Sequence, residues 1–299
     1  MTRPTPLDAL VIGGGPAGCS CALWLHQLGL STALVERQSG LGGLQGESPY
    51  PNTWIAGVMG LKGIEFARRL DEHVSSLGIP VLRRTAPRQV TRDSRGFRVA
   101  AVSDSGPVEL EARHLVIATG VEPRTGGLEA GPHVIIGPGR AVEACDFAGL
   151  RVAILGGGDN AAENYGLIGA RRPADLRIYA RTRRARAALS RNVPEQAFRV
   201  GPYHVDQDTR SVTFDGRTER FDVLVVLYGW QAVIPEALGE MAGTIVDERG
   251  FISTDRERRT AVPGLWAIGE VTQAVHPCCV TAMSDGVICA KAIERDRGA

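Results

Sequence analysis

The sequence predicts an α/β fold that contains two β-α-β units, and two observations support this. A short apolar run leads into a glycine-rich turn at LVIGGGPAG (10–18) and again at VAILGGGDNA (152–161). Each turn is followed by a helical pattern and then by a second apolar run. A strand, a glycine turn and a helix in this order form the Rossmann unit that binds dinucleotides. We therefore expect two Rossmann-like nucleotide-binding domains.

The first unit covers residues 7–37 and shows each expected element. Residues 10–12 are predicted as a buried strand, 17–27 as a helix and 31–36 as a second strand. Gly13, Gly15 and Gly18 have the G-x-G-x-x-G spacing, which allows a tight turn, a close approach of the backbone to a pyrophosphate and close packing of helix on strand. Glu36 ends the second strand, where an acid binds ribose hydroxyls.

The second unit differs from the first in ways that indicate its nucleotide. Gly156, Gly158 and Ala161 keep the spacing, but the stretch 180–184 that matches the position of Glu36 carries arginines and no acid. Arginine pairs with a 2′-phosphate that an acid would repel, so the sequence favours NADPH over NADH. The alternative is a solvated basic face in a protein rich in arginine.

The remaining elements follow from local patterns. Predicted are an amphipathic helix over 64–77, hairpin strands within 95–120 that end in a buried strand at 115–118, strands at 211–214 and 222–227, and a final helix from about Cys279.

Composition limits the classes of partner. Lys and Arg number 34 and Asp and Glu 33, so the net charge of +1 gives no electrostatic case for binding nucleic acid or an anionic membrane. No apolar run approaches the roughly 18 residues of a membrane span, and the N-terminal run lacks the features of a signal peptide. Six cysteines lack framework or metal-ligand spacing, so we expect free thiols, no metal and a cytoplasmic location.

With both loops placed, the chain resembles the low-molecular-weight thioredoxin reductases over nearly its whole length. Four further segments carry the resemblance in the family's order: GGLQ (42–45), PNTWIAGVMGLKG (51–63), VIATGVEPR (116–124) and GLWAIGEV (264–271). The resemblance implies an FAD domain of 1–120 and 247–299, of three-layer ββα type, with an NAD(P)H domain inserted at 121–246. It also implies a homodimer, and a final helix whose N-terminus points at the flavin.

Site residues follow from the loops and from the resemblance. For FAD these are Gly13, Gly15, Pro16, Ala17, Gly18, Glu36, Arg37, Gly43, Leu44, Gln45, Asn52, Ala118, Thr119, Gly120, Gly269, Glu270, Val280 and Thr281. For NADPH they are Gly156, Gly158, Asp159, Asn160, Ala161, Arg181, Arg183, Arg184 and Arg186. Glu270 stands where the family has an aspartate against the ribityl chain, so this residue is carried over with a longer side chain.

The dithiol of the family is incomplete in this sequence. Thioredoxin reductases carry C-x-x-C-D before the second glycine loop, and the matching stretch here runs from Val142 to Asp146. Cys145 matches the second sulfur, while Val142 replaces the first. Because a disulfide relay needs one sulfur to attack and another to resolve, thioredoxin reduction by the usual route is not expected.

Other thiols are candidates for redox chemistry. Cys278 and Cys279 lie at the predicted start of the final helix, where a thiolate is favoured, and His276 is placed to act as a base. The alternative is that these two cysteines only pack at the helix start. Cys145 stays a weaker candidate.

The sequence thus predicts an FAD-dependent oxidoreductase that accepts hydride from NAD(P)H and passes electrons to a small molecule or small redox protein. One alternative is a ferredoxin or flavodoxin–NADP reductase, since residues 147–161 are similar to those relatives. Such relatives usually stack an aromatic residue from a C-terminal extension on the flavin, and the sequence up to Ala299 shows none. Further alternatives are reduction of a low-molecular-weight disulfide or quinone, with Cys278 and Cys279 as the thiols, and an FAD-binding redox sensor without turnover.

Overall fold

The computed structural model describes residues 6–191 and 193–297, which form two compact units. The first unit joins the described residues up to Val121 to those from Gln231 onward, and the second is Glu122–Trp230. The second unit is therefore an insertion in the first.

The first unit begins with two helices and six strands. These are β1 (Leu7–Ile12), α1 (Pro16–Gln27), β2 (Thr32–Val35), α2 (Gly63–Ser76), β3 (Val81–Leu82), β4 (Ala86–Asp93), β5 (Gly96–Ser103) and β6 (Gly106–Ile117), with a 3-10 turn at Gly43–Glu47.

The chain then builds the second unit and returns. The elements are β7 (Val121–Pro123), β8 (Val134–Ile136), α3 (Arg140–Ala144), β9 (Arg151–Leu155), α4 (Asp159–Gly169), β10 (Asp175–Ala180), α5 (Ala187–Ser190), β11 (Phe198–Val200), β12 (Tyr203–Asp206), β13 (Ser211–Phe214), β14 (Arg217–Arg220), β15 (Val223–Val226) and β16 (Trp230–Ala232). Back in the first unit follow α6 (Glu240–Ile245), β17 (Leu265–Ala267) and α7 (Cys279–Arg297).

The first unit has three layers. Its parallel strands run in the order β3-β2-β1-β6, and β17 pairs with the end of β6. The first half of β6 pairs instead with the antiparallel strands β5 and β4. Residues of α1, α2 and α7 form a core with one face of the parallel sheet, and residues of β4 and β5 form a core with the other face.

Strand β1 shows why its sequence is a continuous apolar run. Ala9 and Val11 face the core with the helices, while Leu10 and Ile12 face the core with the antiparallel strands. Side chains alternate across a strand, so a strand that is covered on both faces needs apolar residues at every position. The second strand of the repeat, β9, follows the same rule, with Val152 and Ile154 in one core and the residues between and after them in the other.

The second unit repeats the three layers. Its five parallel strands run in the order β11-β10-β9-β15-β8, and the antiparallel strands β12, β13 and β14 form a sheet next to the core on one face. Residues of α4 contribute to the core on the opposite face. The predicted fold class, two Rossmann-like domains of ββα type, is confirmed.

The structure divides the chain differently from the sequence at one point. Residues 231–246, which the sequence analysis assigned to the inserted domain, belong to the first unit. The reason is packing: Leu238 and Ile245 are buried in the same core as Leu10 and Ile12. The stretch has no strong local pattern, so its partner could be found only from the tertiary structure.

All six cysteines are free, and three of them, Cys19, Cys21 and Cys289, are buried. Within 6–191 and 193–297, no three His, Cys, Asp or Glu side chains are grouped so that they could hold a metal ion. Nor does any helix in these ranges combine the length and apolar character that crossing a membrane requires.

Candidate functional site

The first glycine loop brings backbone atoms into contact where a side chain cannot fit. Gly13 has a φ of +108°, and a Cβ there would lie 2.4 Å from the carbonyl oxygen of Ala118. A Cβ on Gly18 would lie 1.9 Å from the carbonyl oxygen of Gly13. Pro16 occupies the first turn of α1, where a missing N–H costs nothing. The helix thus starts directly at the loop, with backbone N–H groups available to a phosphate.

Glu36 braces this loop. Its side chain is buried, and its two carboxylate oxygens accept N–H groups from Gly14 at 2.6 Å and from Gln38 at 2.7 Å. Each carboxylate oxygen can accept more than one hydrogen bond, so the residue can hold the loop and still accept a ribose hydroxyl. The sequence indicated the second role, and the structure adds the first.

A cavity of about 260 Å³ lies beside Glu36. It is lined by the ends of β1 and β2, by residues 85–87, by Thr119 and by the segment 233–236. The lining is mostly apolar with the Glu36 carboxylate among its polar groups, which suits a flat heterocycle that is joined to a hydroxylated sugar. All of these residues belong to the first unit.

Three segments that are distant in sequence converge on the first loop. The N–H of Gly42 donates to the carbonyl of Gly14 at 2.7 Å, and a Cβ on Gly43 would lie 3.0 Å from the Cα of Gly15. The Ala118 N–H donates to the carbonyl of Ile12 at 2.7 Å. A Cβ on Gly269 would lie 2.8 Å from the Cβ of Ala17.

The predicted flavin residues are therefore largely brought together. Gln45 accepts a hydrogen bond from the amide of Asn52 at 3.3 Å, and the hydroxyl of Thr119 donates to the carbonyl of Val233 at 2.5 Å. Leu44 and Val280 expose about two fifths of their surface, at 39% and 46%. Burial raises the pKa of the Glu270 carboxyl.

The second glycine loop repeats the geometry of the first. Gly156 has a φ of +140°, and a Cβ there would lie 2.2 Å from the carbonyl oxygen of Leu227. The N–H of Gly156 donates to the carbonyl of Tyr179 at 2.9 Å, as that of Gly13 does to Val35 at 2.8 Å. The register of β9 with β10 therefore places Ala180 where the first unit has Glu36.

The four arginines of the predicted NADPH site are not equivalent. Arg186 donates from its backbone N–H and its Nε to the carboxylate of Asp159, at 2.8 and 2.7 Å. The backbone hydrogen bond from Arg186 is the largest cause of the lowered pKa of Asp159. Arg183 pairs with Glu195 at 2.8 Å, and its guanidinium lies 4.3 Å from the ring centre of Phe198.

Arg181 and Arg184 remain available to a ligand. Both are exposed, and neither side chain forms an ion pair with any part of the chain that the structure describes. Arg181 directly follows the end of β10, next to Ala180. Two of the four predicted residues are thus already engaged within the protein. Asn160 offers its carbonyl to Asn164, and Ala161 is buried against the strand.

The position of the missing dithiol is a packed structural element. Val142 is 1% exposed and belongs to the core of the second unit. The Arg171 guanidinium donates to the carbonyls of Val142, Glu143 and Cys145, at 2.9, 2.7 and 2.9 Å, and so caps α3. Burial raises the pKa of Cys145, which does not favour a nucleophile.

The adjacent thiols at the start of α7 have different environments. Cys278 precedes the helix, its N–H donates to the Thr281 hydroxyl at 3.2 Å, and its sulfur lies 3.3 Å from the same oxygen. Burial opposes ionisation of Cys278, but hydrogen bonds from the side chain and backbone of Thr281 and from the Val280 N–H outweigh it and lower the pKa. Burial raises the pKa of Cys279 to about 12.

His276 does not take the predicted role of a base in this structure. The residue is exposed, and its backbone carbonyl accepts the Thr281 hydroxyl at 2.7 Å. No hydrogen bond of its ring to either cysteine occurs among the described residues. Thr281, which the sequence analysis assigned to the flavin, is the side chain that contacts the Cys278 sulfur.

Two residues of this region had no place in the sequence analysis. Arg258 and Asp285 form a buried ion pair with a distance of 2.6 Å, and Asp285 also accepts the N–H of Gly269 at 3.0 Å. The only signal in the sequence is an acid between small residues in MSDGV (283–287) of the final helix.

The sequence pattern of the pyridine nucleotide-disulphide oxidoreductases matches residues 7–286. The chain therefore belongs to this family, and it is an oxidoreductase. Use of FAD and NAD(P)H is the property of the family, and the site just described fits it: the glycine loops leave room for a pyrophosphate, and the cavity beside Glu36 suits a nucleoside.

Relatives of known name share about a quarter of their residues with the chain. It is 29% identical over 298 residues to the ferredoxin–NADP reductase of Ignicoccus hospitalis, covering 92% of this chain and 93% of the relative. It is 25% identical over 321 residues to the thioredoxin reductase of Bacillus subtilis, covering 98% and 96%. It is also 26% identical over 296 residues to a flavin-reductase-sized part of an alkyl hydroperoxide reductase of Staphylococcus epidermidis, covering 94% of this chain but only 57% of that longer protein.

Solved structures share the fold. The thioredoxin reductase of Lactococcus lactis, in the FR conformation, superposes with a TM-score of 0.81 at 22% identity and covers 97% of this chain and 98% of its own. The bacillithiol disulfide reductase of Bacillus cereus superposes with a TM-score of 0.79 at 18% identity, covering 98% and 100%.

The environments of the two thiols predict selective alkylation of Cys278. With one pKa below 9.0 and the other about 12, the thiolate fraction at neutral pH differs by more than a thousandfold. The weaker nucleophilicity of the less basic thiolate reduces this to roughly a 30-fold difference in rate. We expect the variant C279S, which keeps Cys278, to react that much faster with iodoacetamide than C278S, as measured by mass spectrometry. Equal rates in the two variants would contradict the assignment; the other cysteines are the same in both.

Proposed function

We propose that the protein is an FAD-dependent oxidoreductase that oxidises NADPH and delivers the electrons to an acceptor other than thioredoxin. The observation that carries this proposal is the pair of glycine loops with one geometry. Gly13 and Gly156 have left-handed φ values and touch the carbonyl of a neighbouring strand, and both donate to the second strand of their repeat. Two such loops in one chain suit two dinucleotides.

The first unit is the proposed FAD domain. The start of α1 offers N–H groups and a positive partial charge to the pyrophosphate, and Glu36 accepts the ribose hydroxyls. The cavity beside Glu36 takes the adenine. Helix α7 is long enough, at 19 residues, for its N-terminus to favour negative charge on a neighbouring group. Bound FAD supplies hydride chemistry that no side chain can perform.

The second unit is the proposed NADPH domain. Ala180 replaces the acid that would bind a ribose hydroxyl and repel a phosphate, and Arg181 follows it. Arg181 and Arg184 are the exposed cations of this loop without an ion-pair partner among the described side chains, so they are the residues that we assign to the 2′-phosphate. Arg183 and Arg186 hold the loop through Glu195 and Asp159.

An acceptor other than thioredoxin follows from the second unit. Val142 is buried in the core, and Cys145 has a raised pKa. Neither residue supports the two-sulfur relay that thioredoxin reduction needs.

Anaerobic mixing of the FAD-loaded protein with NADPH tests the proposal. We expect loss of the visible flavin absorbance, faster with NADPH than with NADH. The variant G156A places a Cβ at 2.2 Å from a carbonyl oxygen at a left-handed φ, so it should abolish this reduction while FAD stays bound. The control G166A lies in α4 with open space around its Cβ and should leave reduction unchanged. Flavin that stays oxidised in the unaltered protein would refute the proposed activity.

Replacement of Arg181 tests the choice of nucleotide. A charge-assisted bond to phosphate is worth enough that R181A should raise the KM for NADPH about tenfold or more. The KM for NADH and both kcat values should stay the same, because only the 2′-phosphate is affected. The control R220A removes an exposed arginine at the end of β14 and should change neither KM. A parallel rise for both nucleotides would mean that Arg181 does not read the phosphate.

The acceptor itself has two candidates, each favoured by one observation. Similarity to a ferredoxin–NADP reductase over 92% of the chain supports a one-electron protein carrier. The lowered pKa of Cys278 supports a low-molecular-weight disulfide. In that reaction Cys278 attacks the disulfide and releases one thiol, and Cys279 then attacks the Cys278 sulfur and releases the second. NADPH, through the flavin, supplies the two electrons that restore both thiols, and the strained vicinal ring is easily reduced.

A comparison of acceptors in the variants C278S and C279S separates these candidates. If the disulfide is the substrate, NADPH-dependent reduction of hydroxyethyl disulfide should fall at least about a hundredfold in C278S, because the attacking thiolate is lost. Reduction of ferredoxin or flavodoxin should be unaffected in either variant. Disulfide turnover that persists in both variants would show that the two sulfurs are not used.

We further propose a homodimer and a cytoplasmic location. Six free cysteines fit a reducing compartment, and dimers are expected from the resemblance to thioredoxin reductases.

A further inference from the structure

A buried ion pair links helix α7 to the loop before β17. Asp285 is 1% exposed and Arg258 is 7% exposed. The Nη2 and Nε atoms of Arg258 lie 2.6 and 2.7 Å from Oδ1 of Asp285. The second carboxylate oxygen of Asp285 accepts the N–H of Gly269 at 3.0 Å. Both oxygens of this one carboxylate are therefore engaged, one by a charge and one by a backbone turn.

Such a pair is a poor device for stability alone. Removing two charges from water is costly, and well-packed apolar residues of similar size often serve a protein core equally well. The feature that apolar residues cannot reproduce is the hydrogen bond to Gly269. The Arg258 charge keeps Asp285 ionised and in place, and Asp285 fixes the turn.

The turn that Asp285 holds lies against the first glycine loop. Gly269 has a φ of +75°, and a Cβ there would lie 2.8 Å from the Cβ of Ala17. Its carbonyl accepts the N–H and the hydroxyl of Thr272, at 3.0 and 2.9 Å. The next residue is Glu270, a half-buried side chain of the proposed flavin site.

The same helix turn is fixed to α1 from the other side. The hydroxyl of Ser20 donates to the carbonyl of Met283 at 2.8 Å. A Cβ on Gly286 would lie 2.6 Å from the carbonyl oxygen of Ala17 and 2.7 Å from the backbone nitrogen of Cys21. Helix α7 and the phosphate-binding helix α1 are thus in backbone contact one residue from Asp285.

We propose that Asp285 is a positioning residue for the flavin: with Arg258 as its partner, it holds the Gly269–Glu270 turn at the start of α1 before FAD binds. Asp285 need not touch the cofactor for this role. It acts through the Gly269 N–H, which sets the direction of the Glu270 side chain. The inference rests on the proposed binding of FAD by the first unit.

Two double variants isolate the hydrogen bond from the ion pair. R258M/D285N and R258M/D285L both remove the buried charges and keep similar side-chain shapes, but only the asparagine can accept the Gly269 N–H. Loss of one buried hydrogen bond predicts that the FAD dissociation constant of the leucine variant is about tenfold higher than that of the asparagine variant. The quenching of flavin fluorescence by the protein should weaken in the same variant, while the affinity of the protein for NADPH stays unchanged.

An exposed ion pair provides the matched control. Arg259 and Asp296 also join the 255–259 loop to α7, at 2.8 Å, but both are partly exposed and neither contacts Gly269. D296N should leave FAD affinity unchanged. Equal FAD affinities in the two double variants would overturn the role of Asp285. If the unaltered protein binds no FAD at all, the proposed function fails instead, so the two failures are distinct.

Hydrogen exchange of the unaltered protein gives a second test that needs no variant. The Gly269 amide is bonded to a buried carboxylate, so it should exchange slowly in the FAD-free protein as well as in the FAD-loaded protein. Rapid exchange of this amide without FAD would overturn the inference, because the turn would then be formed by the cofactor and not by Asp285. This result stands even if the leucine variant fails to fold.

Discussion

At Gly13 and Gly156 the backbone of one strand end lies against the carbonyl of the neighbouring strand, with no room for a side chain. This contact fixes where each helix starts, because the loop must turn within three residues and then give Pro16 or Asp159 as the first helical residue. It also leaves the N–H groups of the helix start facing outward. The convergence of the 42–45, 118–120 and 269–270 segments on the first loop depends on the same closeness.

Local patterns were sufficient for the parts of the fold that depend on them. Strand β1, helices α1 and α2 and helix α7 lie within a few residues of their predicted bounds, since a buried strand, an amphipathic face and a cap are each encoded in adjacent residues. Helix α3 and strands β8 and β11 were missed because they are only three to five residues long. The assignment of 231–246 to the first unit depends on contacts of Leu238 and Ile245 with distant strands, which no local pattern contains.

The site was predicted by residue type but not by state. Four arginines near the second loop look alike in sequence, yet Arg183 and Arg186 are engaged by Glu195 and Asp159 from distant parts of the unit. Cys278 and Cys279 are adjacent in sequence, yet one precedes a helix beside Thr281 and the other packs against the core. Ion pairing and burial decide these differences, and both depend on the tertiary structure. The pair of Arg258 and Asp285 was invisible for the same reason, since 27 positions separate its members.

The packing of Val142 bears on how this lineage could change. Cysteine and valine are similar in size, so a single residue exchange could place a second sulfur three positions before Cys145 without disturbing the core. Yet a sulfur at that depth would be shielded from any protein substrate, and Arg171 would still tie together the carbonyls of the two residues that carry the sulfurs. A working relay would require the helix to be released from its clamp as well as the residue to be exchanged. The missing dithiol therefore acts as an evolutionary ratchet: the sequence can regain the motif by one exchange, while the architecture cannot.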